Sequence, residues 1–342
     1  MKKELVLAFG LVLLASPGVA QHGRIPAAPV FKVVPLVSNQ AGKAPNVDPN
    51  LVNPWGLSQS GGGPIWASDN GTGLSTLYDQ GTGKIQGLVV TIPKGSPTGT
   101  VYAPAIGFKV SENGKSGDAQ FIFDSIPGVI SGWSSSVDAT NAVVAVDNSA
   151  NGSSYTGLAI DTSSELLFAA DFANNQVQVF DNTWNQVGSF TDTSLPQGFA
   201  PYNVAIFNGD VYVTFAQGGG AQVHRTPKGG PGYVDVFSES GTLLKQLIAN
   251  GPLDQPWGMA IAPSKFGSFA NALLVGNLAN GKINAFNITS GSLLGTLKKP
   301  SGRPIKINGL WALDPVPSGD ITFSSGPNFY ADGLIGLIKV AR

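Results

Sequence analysis

Apolar and polar residues alternate along this chain in short runs, and most runs are bounded by Gly, Pro, Asn or Asp. Alternation with a period of two marks strands, and no long apolar pattern of period 3.6 is present to support helices. One phrase recurs, an apolar strand opened by Gly or Asn. It reads Asn53-Pro54-Trp55-Gly56-Leu57, Tyr155-Thr156-Gly157-Leu158, Pro201-Tyr202-Asn203-Val204, Gln255-Pro256-Trp257-Gly258-Met259 and Asn308-Gly309-Leu310-Trp311, with a weaker copy at Pro97-Thr98-Gly99-Thr100. The anchors 56, 99, 157, 203, 258 and 309 lie 43, 58, 46, 55 and 51 residues apart.

Each of the first five copies is followed by three further apolar stretches, and the sixth by two. Second strands are expected at 64–68, 120–123, 166–170, 211–215, 272–275 and 320–324. Third strands follow at 74–78, 129–133, 176–180, 233–237, 282–286 and 333–337. Fourth strands fit 88–92, 142–146, 187–190, 244–248 and 293–297. Four short strands repeating about every fifty residues are the pattern of a propeller blade, so the fold class is all-β, a six-bladed β-propeller. The sixth unit ends near Val340 without a fourth strand, and Val30–Val37 has no blade of its own. That N-terminal strand is expected to complete the last sheet, which closes the ring and removes an open edge.

Composition adds the setting. The 342 residues include no cysteine, 45 glycines and 24 prolines, with 42% hydrophobic and 12% charged residues. That is enough apolar material for a packed core, without disulfides. A net charge of -1, with no basic stripe, argues against a nucleic-acid partner. Lys2 and Lys3, the apolar stretch 5–15 and the small residues up to Ala20 read as a signal peptide cut near Ala20-Gln21. The expected organisation is therefore a signal peptide at 1–20, a leader at 21–29 and one propeller domain at 30–340. The mature chain is expected to be a secreted or periplasmic monomer without a membrane span.

The stretch "LFAADFANNQVQVFD" resembles NHL-type propeller repeats. More widely, residues 36–340 resemble a family of uncharacterised secreted bacterial proteins. The resemblance rests on "LVSNQAG", "DPNLVNPWGL", "DNGTGLSTLYD", "GFAPYNV", "GYVDVF", "PWGMAIAPSKFGSFANALLVGN", "GKINAFN" and "INGLWAL". It implies a propeller and export, and no particular activity. Two stretches depart from the family pattern. Where the family carries an acidic, His-containing loop before the "VDVF" strand, this chain has His224, Arg225 and Lys228 without a carboxylate. Near the C-terminus it reads "GPNFYADGL", with Asp332 in place of a carboxylate pair and a His.

In a four-stranded meander, the starts of the first strands and the turns after the second strands share one face, called here the corner face. It should gather Asp69, Asn70, Asp171, Asn175, Asn203, His224, Asn277 and Asn308 around a channel mouth, the default ligand position for this architecture. Asp and Asn at strand ends also serve turns, and their recurrence in several blades favours that duty. Trp55 and Trp257 read as packing between blades rather than as a sugar platform. No catalytic residue stands out. His224 is alone, since His22 lies in the leader, which leaves too few ligands for a His- or Cys-based zinc site. No resident cofactor is expected; Ca²⁺, if taken, would use Asp171, Asn203 and Asn308. Three functions are open: a non-catalytic scaffold binding a small molecule or protein, a Ca²⁺-dependent lactonase or lyase, and a structural extracellular matrix protein; the scarcity of catalytic carboxylates and histidines favours the first or third over the second.

Overall fold

The computed structural model describes residue 1, residues 29–218 and residues 231–341. The signal-peptide and leader residues from Lys2 to Ala28, with His22, and the loop residue His224 lie outside the described residues.

Six antiparallel sheets form the six blades. In order from the innermost strand, blade 1 is Pro54–Ser58, Ile65–Asp69, Leu74–Tyr78 and Ile85–Thr91. Blade 2 is Pro97–Tyr102, Phe121–Ser125, Val129–Trp133 and Val143–Asp147. Blade 3 is Tyr155–Asp161, Leu166–Asp171, Gln176–Phe180 and Gln186–Phe190. Blade 4 is Phe199–Phe207, Asp210–Gln217, Gly232–Phe237 and Leu243–Ala249. Blade 5 is Pro256–Ile261, Leu273–Asn277, Ile283–Phe286 and Leu293–Thr296. Blade 6 is Leu310–Pro315, Ile321–Ser325, Leu334–Val340 and, as its outer strand, Phe31–Ser38 from the N-terminal segment.

The closing strand pairs antiparallel with Leu334–Val340, from Phe31 opposite Val340 to Ser38 opposite Leu334. Ser38 Oγ donates to the Gly333 carbonyl at 2.8 Å, and Asn39 Oδ1 accepts from the Gly333 amide at 2.9 Å. A short parallel strand, Asn46–Val47, lies outside it. Neither that strand nor the hairpin Lys109–Glu112 with Lys115–Asp118 belongs to the sequence-predicted set. The hairpin sits between the first two strands of blade 2 and accounts for the long repeat of that unit. Its turn is Asn113-Gly114, both at positive φ, the dipeptide that two-residue hairpins favour.

Burial grades outward. Nearly every residue of the first three strands of each blade is buried, because both faces of those strands are covered by neighbouring blades. Fourth strands face solvent, and most exposed large apolar side chains, such as Leu243, Leu244, Leu293 and Leu294, are there.

The first strands run closest to the axis, and all six carry a register irregularity in the same place. Each has one residue more than its partner strand, which is a β-bulge. Strand pairing makes Trp55, Thr98, Thr156, Tyr202, Trp257 and Trp311 equivalent at the bulge, followed by Gly56, Gly99, Gly157, Asn203, Gly258 and Ala312. The sixth anchor is therefore Ala312, three residues after the Gly309 that local sequence similarity selects. Four of the small residues must be glycine for steric reasons. A Cβ on Gly56 would lie 2.7 Å from the Thr98 carbonyl oxygen and one on Gly99 would lie 2.5 Å from the Leu158 nitrogen. On Gly157 it would collide with Asn203, and on Gly258 with the Trp311 carbonyl.

Gly258→Ala should accordingly destabilise the protein by about 1–3 kcal/mol, the usual cost of overpacking. Gly87 has nothing within 4 Å of a Cβ position, so Gly87→Ala should stay within about 0.5 kcal/mol of wild type. Urea unfolding of both variants checks the difference.

Candidate functional site

The bulges determine what the axis contains. Trp55 stacks on Trp311 with centroids 3.6 Å apart and planes at 18°. Trp257 meets both edge-on, at 6.1 and 5.8 Å. Tyr202 lies 6.5 Å from Trp55 and 6.3 Å from Trp311. Trp55 and Tyr202 come from blades 1 and 4, which stand opposite each other in the ring. Rings that touch across the axis leave no open channel at that level. Phe172 and Tyr330 pack on the outside of the group, at 5.4 Å from Tyr202 and 5.7 Å from Trp311. Hydrogen bonds orient the plug. Trp311 Nε1 donates to Asn53 Oδ1 at 2.9 Å and Trp257 Nε1 to the Thr156 carbonyl at 2.8 Å. The tryptophans are core residues, as their sequence context suggests.

The corner residues are built into their own blades or the adjoining strands. Asp171 Oδ1 accepts from the Ser154 amide at 3.0 Å, and its Oδ2 accepts from Asn174 Nδ2 at 2.8 Å and Gln178 Nε2 at 2.9 Å. Asn203 Nδ2 donates to the Trp257 carbonyl at 2.9 Å and its Oδ1 accepts from the Val204 amide. Asn70 accepts from Asn53 Nδ2 and donates to the Pro97 carbonyl. Asn277 Nδ2 donates to the Pro252 carbonyl at 2.8 Å. Asn175 sits at positive φ in its turn and accepts from Thr191; Asn308 is exposed. Among the described residues, no hydrogen bond joins a candidate of one blade to a candidate of another. The oxygens of Asp171 and Asn203 accept hydrogen bonds from protein donors. Among the described residues no group of three or more His, Cys, Asp or Glu gathers elsewhere.

Asp69 is part of a buried chain of oxygens. Thr76 Oγ1 lies 2.7 Å from Asp69 Oδ2 and 2.7 Å from the Tyr78 hydroxyl, which lies 3.0 Å from Asp48 Oδ2. Three links between four oxygen groups need three protons, and the two hydroxyls supply two. The third must reside on a carboxyl. Burial, followed by the neighbouring Asp48 charge, pushes Asp69 well above the ordinary carboxylate range despite the Thr76 hydrogen bond. The neutral acid thus donates to Thr76, Thr76 to Tyr78, and Tyr78 to Asp48.

The open space lies on the other side of the plug. The segments Gly56–Gln59, Gly99–Tyr102, Leu158–Ile160, Asn203–Ile206, Trp257–Met259 and Ala312–Asp314 wall a cavity of about 370 Å³. These follow the bulge in every first strand, so the cavity opens on the face opposite the corners, with Trp257 at its floor. The first strands are the inner edges of their sheets, so main-chain groups contribute to the wall. At the rim Gln59 Nε2 donates to Asp314 Oδ2 at 2.9 Å and to the Pro315 carbonyl at 2.8 Å. Burial pushes the Asp314 carboxyl up to about 7, against the lowering effect of Gln59. Neither residue stands out in the sequence; the one available signal was that both lie just beyond a recurring first-strand phrase.

No family model matches the chain. Two uncharacterised proteins of Acanthamoeba polyphaga mimivirus are similar to it. One is 28% identical over 91% of this chain and 81% of its own length, the other 29% identical over 94% and 90%. These relatives are viral, which corrects the expectation of a bacterial family. Among solved structures, a catalytically inactive virginiamycin B lyase from Staphylococcus aureus with quinupristin matches at TM-score 0.54, 13% identity, 91% of this chain and all of that one. A glucose dehydrogenase matches at TM-score 0.55 and 16% identity, over 91% of this chain and 99% of that one. The WD40 propeller domain of Doa1 matches at 0.53 and 10% identity, over 84% and 79%. At such identities the likeness shows the propeller fold alone.

A carboxyl whose pKa is raised by folding binds its proton more tightly in the folded state. Its contribution is complete below the ordinary carboxylate range and is lost as pH rises through the folded value. Asp69 is raised, as are Asp124, to about 6, and Asp235, to about 8, both chiefly by burial. The melting temperature should therefore fall as pH is raised from about 4 to 9. Asp69→Asn keeps a neutral donor toward Thr76, so it should flatten part of that fall. Melting curves across the range test both expectations, and an unchanged slope in the variant would refute the proton assignment.

Proposed function

We propose that the protein is an exported binding scaffold whose ligand enters the axial cup from the face opposite the corners. The observation that carries this reading is the convergence of all six first strands on one blind cavity. Its volume, about 370 Å³, lies within the range of small-molecule sites, roughly 300–1,000 Å³. Its wall joins apolar residues to a small set of polar ones, Ser58, Gln59, Thr100, Asn203 and Asp314, and convergent polar groups of that kind orient ligands in such sites. Export rests on the signal-peptide-like residues 1–20.

This reading differs from the position suggested by sequence. Of the described corner candidates, Asn203 alone lines the cup; Asp69, Asn70, Asp171, Asn175 and Asn277 are hydrogen-bonded within their own blades and adjoining segments, whereas the cup gathers one segment from each blade. The lyase and dehydrogenase activities of the structural neighbours depend on their own side chains and do not travel with the fold.

Trp257 at the floor makes tryptophan emission a reporter. A screen of small metabolites should yield compounds that shift both emission and melting temperature. Ala205→Trp and Ile160→Trp each place bulk in the cup wall and should abolish those shifts while leaving circular dichroism unchanged. Hits that survive both substitutions, or a screen without hits, would overturn the reading.

A further inference from the structure

The donors and acceptors at the rim of the cup restrict what it can hold. Of the residues lining it, Asp314 alone carries a formal charge. Gln59 commits both amide hydrogens, one to Asp314 Oδ2 and one to the Pro315 carbonyl. Its Oε1 is buried and has no hydrogen-bond partner. Gln59 and Asp314 thus offer acceptors side by side, Asp314 Oδ1 and Gln59 Oε1, with no side-chain donor left between them. Below this rim the wall combines main-chain groups and the polar side chains of Ser58, Thr100 and Asn203 with the aliphatic residues Leu57, Val101, Leu158, Met259 and Leu313. A buried acceptor without a donor is costly, and a buried carboxylate without a counter-charge more so.

We infer that the cup takes a small organic cation, a protonated primary amine, with its ammonium group on Asp314 and Gln59 and its hydrocarbon part among the aliphatic residues of the mixed wall. The inference rests on the cup being the binding site. An ammonium group supplies three donors and one positive charge, which is what this pair of acceptors lacks. A divalent metal would need more oxygen ligands than one carboxylate and one amide. An anion would meet Asp314 unfavourably. The raised pKa of Asp314 fits the same picture: the charge is poorly solvated by the protein itself, and a bound cation would hold the carboxyl ionised.

The test uses the mature protein and three probes of matched shape, n-pentylamine, 1-pentanol and pentanoate, followed by titration calorimetry at pH 8. The amine should bind at least tenfold more tightly than the alcohol, and pentanoate should be the weakest. Amine affinity should fall as pH drops through about 7, where Asp314 takes up its proton. Asp314→Asn should remove the preference for the amine and the pH dependence while leaving alcohol binding in place. Gln59→Leu should weaken the amine about five- to tenfold, and it provides a second variant should the first not fold. Equal binding of amine and alcohol to wild type, or an amine preference that persists in Asp314→Asn, would overturn the inference and leave the cup standing. Failure of all three probes would also overturn it. The metabolite screen with Ala205→Trp and Ile160→Trp then decides the cup separately.

Discussion

Six strands have to share one axis, and the rest of the structure follows from how that crowding is resolved. Backbones of neighbouring blades come so close that Gly56, Gly99, Gly157 and Gly258 have no room for a side chain. The bulge immediately before each of these positions does the opposite. It gives each strand one extra residue, whose side chain can enter the axis rather than a sheet face. Three tryptophans and a tyrosine use that opportunity and two threonines leave them space. The result is a narrow backbone collar bordered on one side by an aromatic plug and on the other by a cup.

Closure depends on the same geometry. Trp55 belongs to the first blade and Trp311 to the last, so their stack joins the two ends of the repeat at the centre. The strand Phe31–Ser38 joins them at the periphery. The hydroxyl of Tyr78 in blade 1 reaches Asp48 in the connecting segment and adds a third attachment between the two. With no cysteine in the chain, closure rests on these non-covalent contacts alone.

Polar groups in such a core are held by proton placement as much as by pairing. The row from Asp69 through Thr76 and Tyr78 to Asp48 is consistent only with one carboxyl neutral. Asp171, in the equivalent corner of blade 3, receives amide donors from Ser154, Asn174 and Gln178 instead. Two corners that look alike in sequence thus meet the cost of burial differently, one by keeping a proton and one by collecting N–H groups. This is why a recurring Asp–Asn phrase is a poor guide to a shared ligand site: each copy answers the needs of its own turn.

The four-stranded blades, their order and ring closure were legible in the sequence, because alternation and turn residues are local and each repeat displays them. The terminal strand could be assigned because one blade lacked a member and one segment lacked a blade. The equivalence of Ala312 rather than Gly309 was not legible, since it depends on Leu310 pairing with Ser325 and Leu313 with Phe323 across the sheet. Nor was the side on which the axis is open. That depends on rings from opposite blades meeting, Trp55 with Tyr202 above all, and on Gln59 and Asp314 becoming neighbours across 255 residues of chain. Sequence by itself determined the repeating unit, because hydrogen-bonded strands and tight turns are short-range. Tertiary structure alone decided the plug, the cup and its single carboxyl, because those arise only where six units are forced together around one axis.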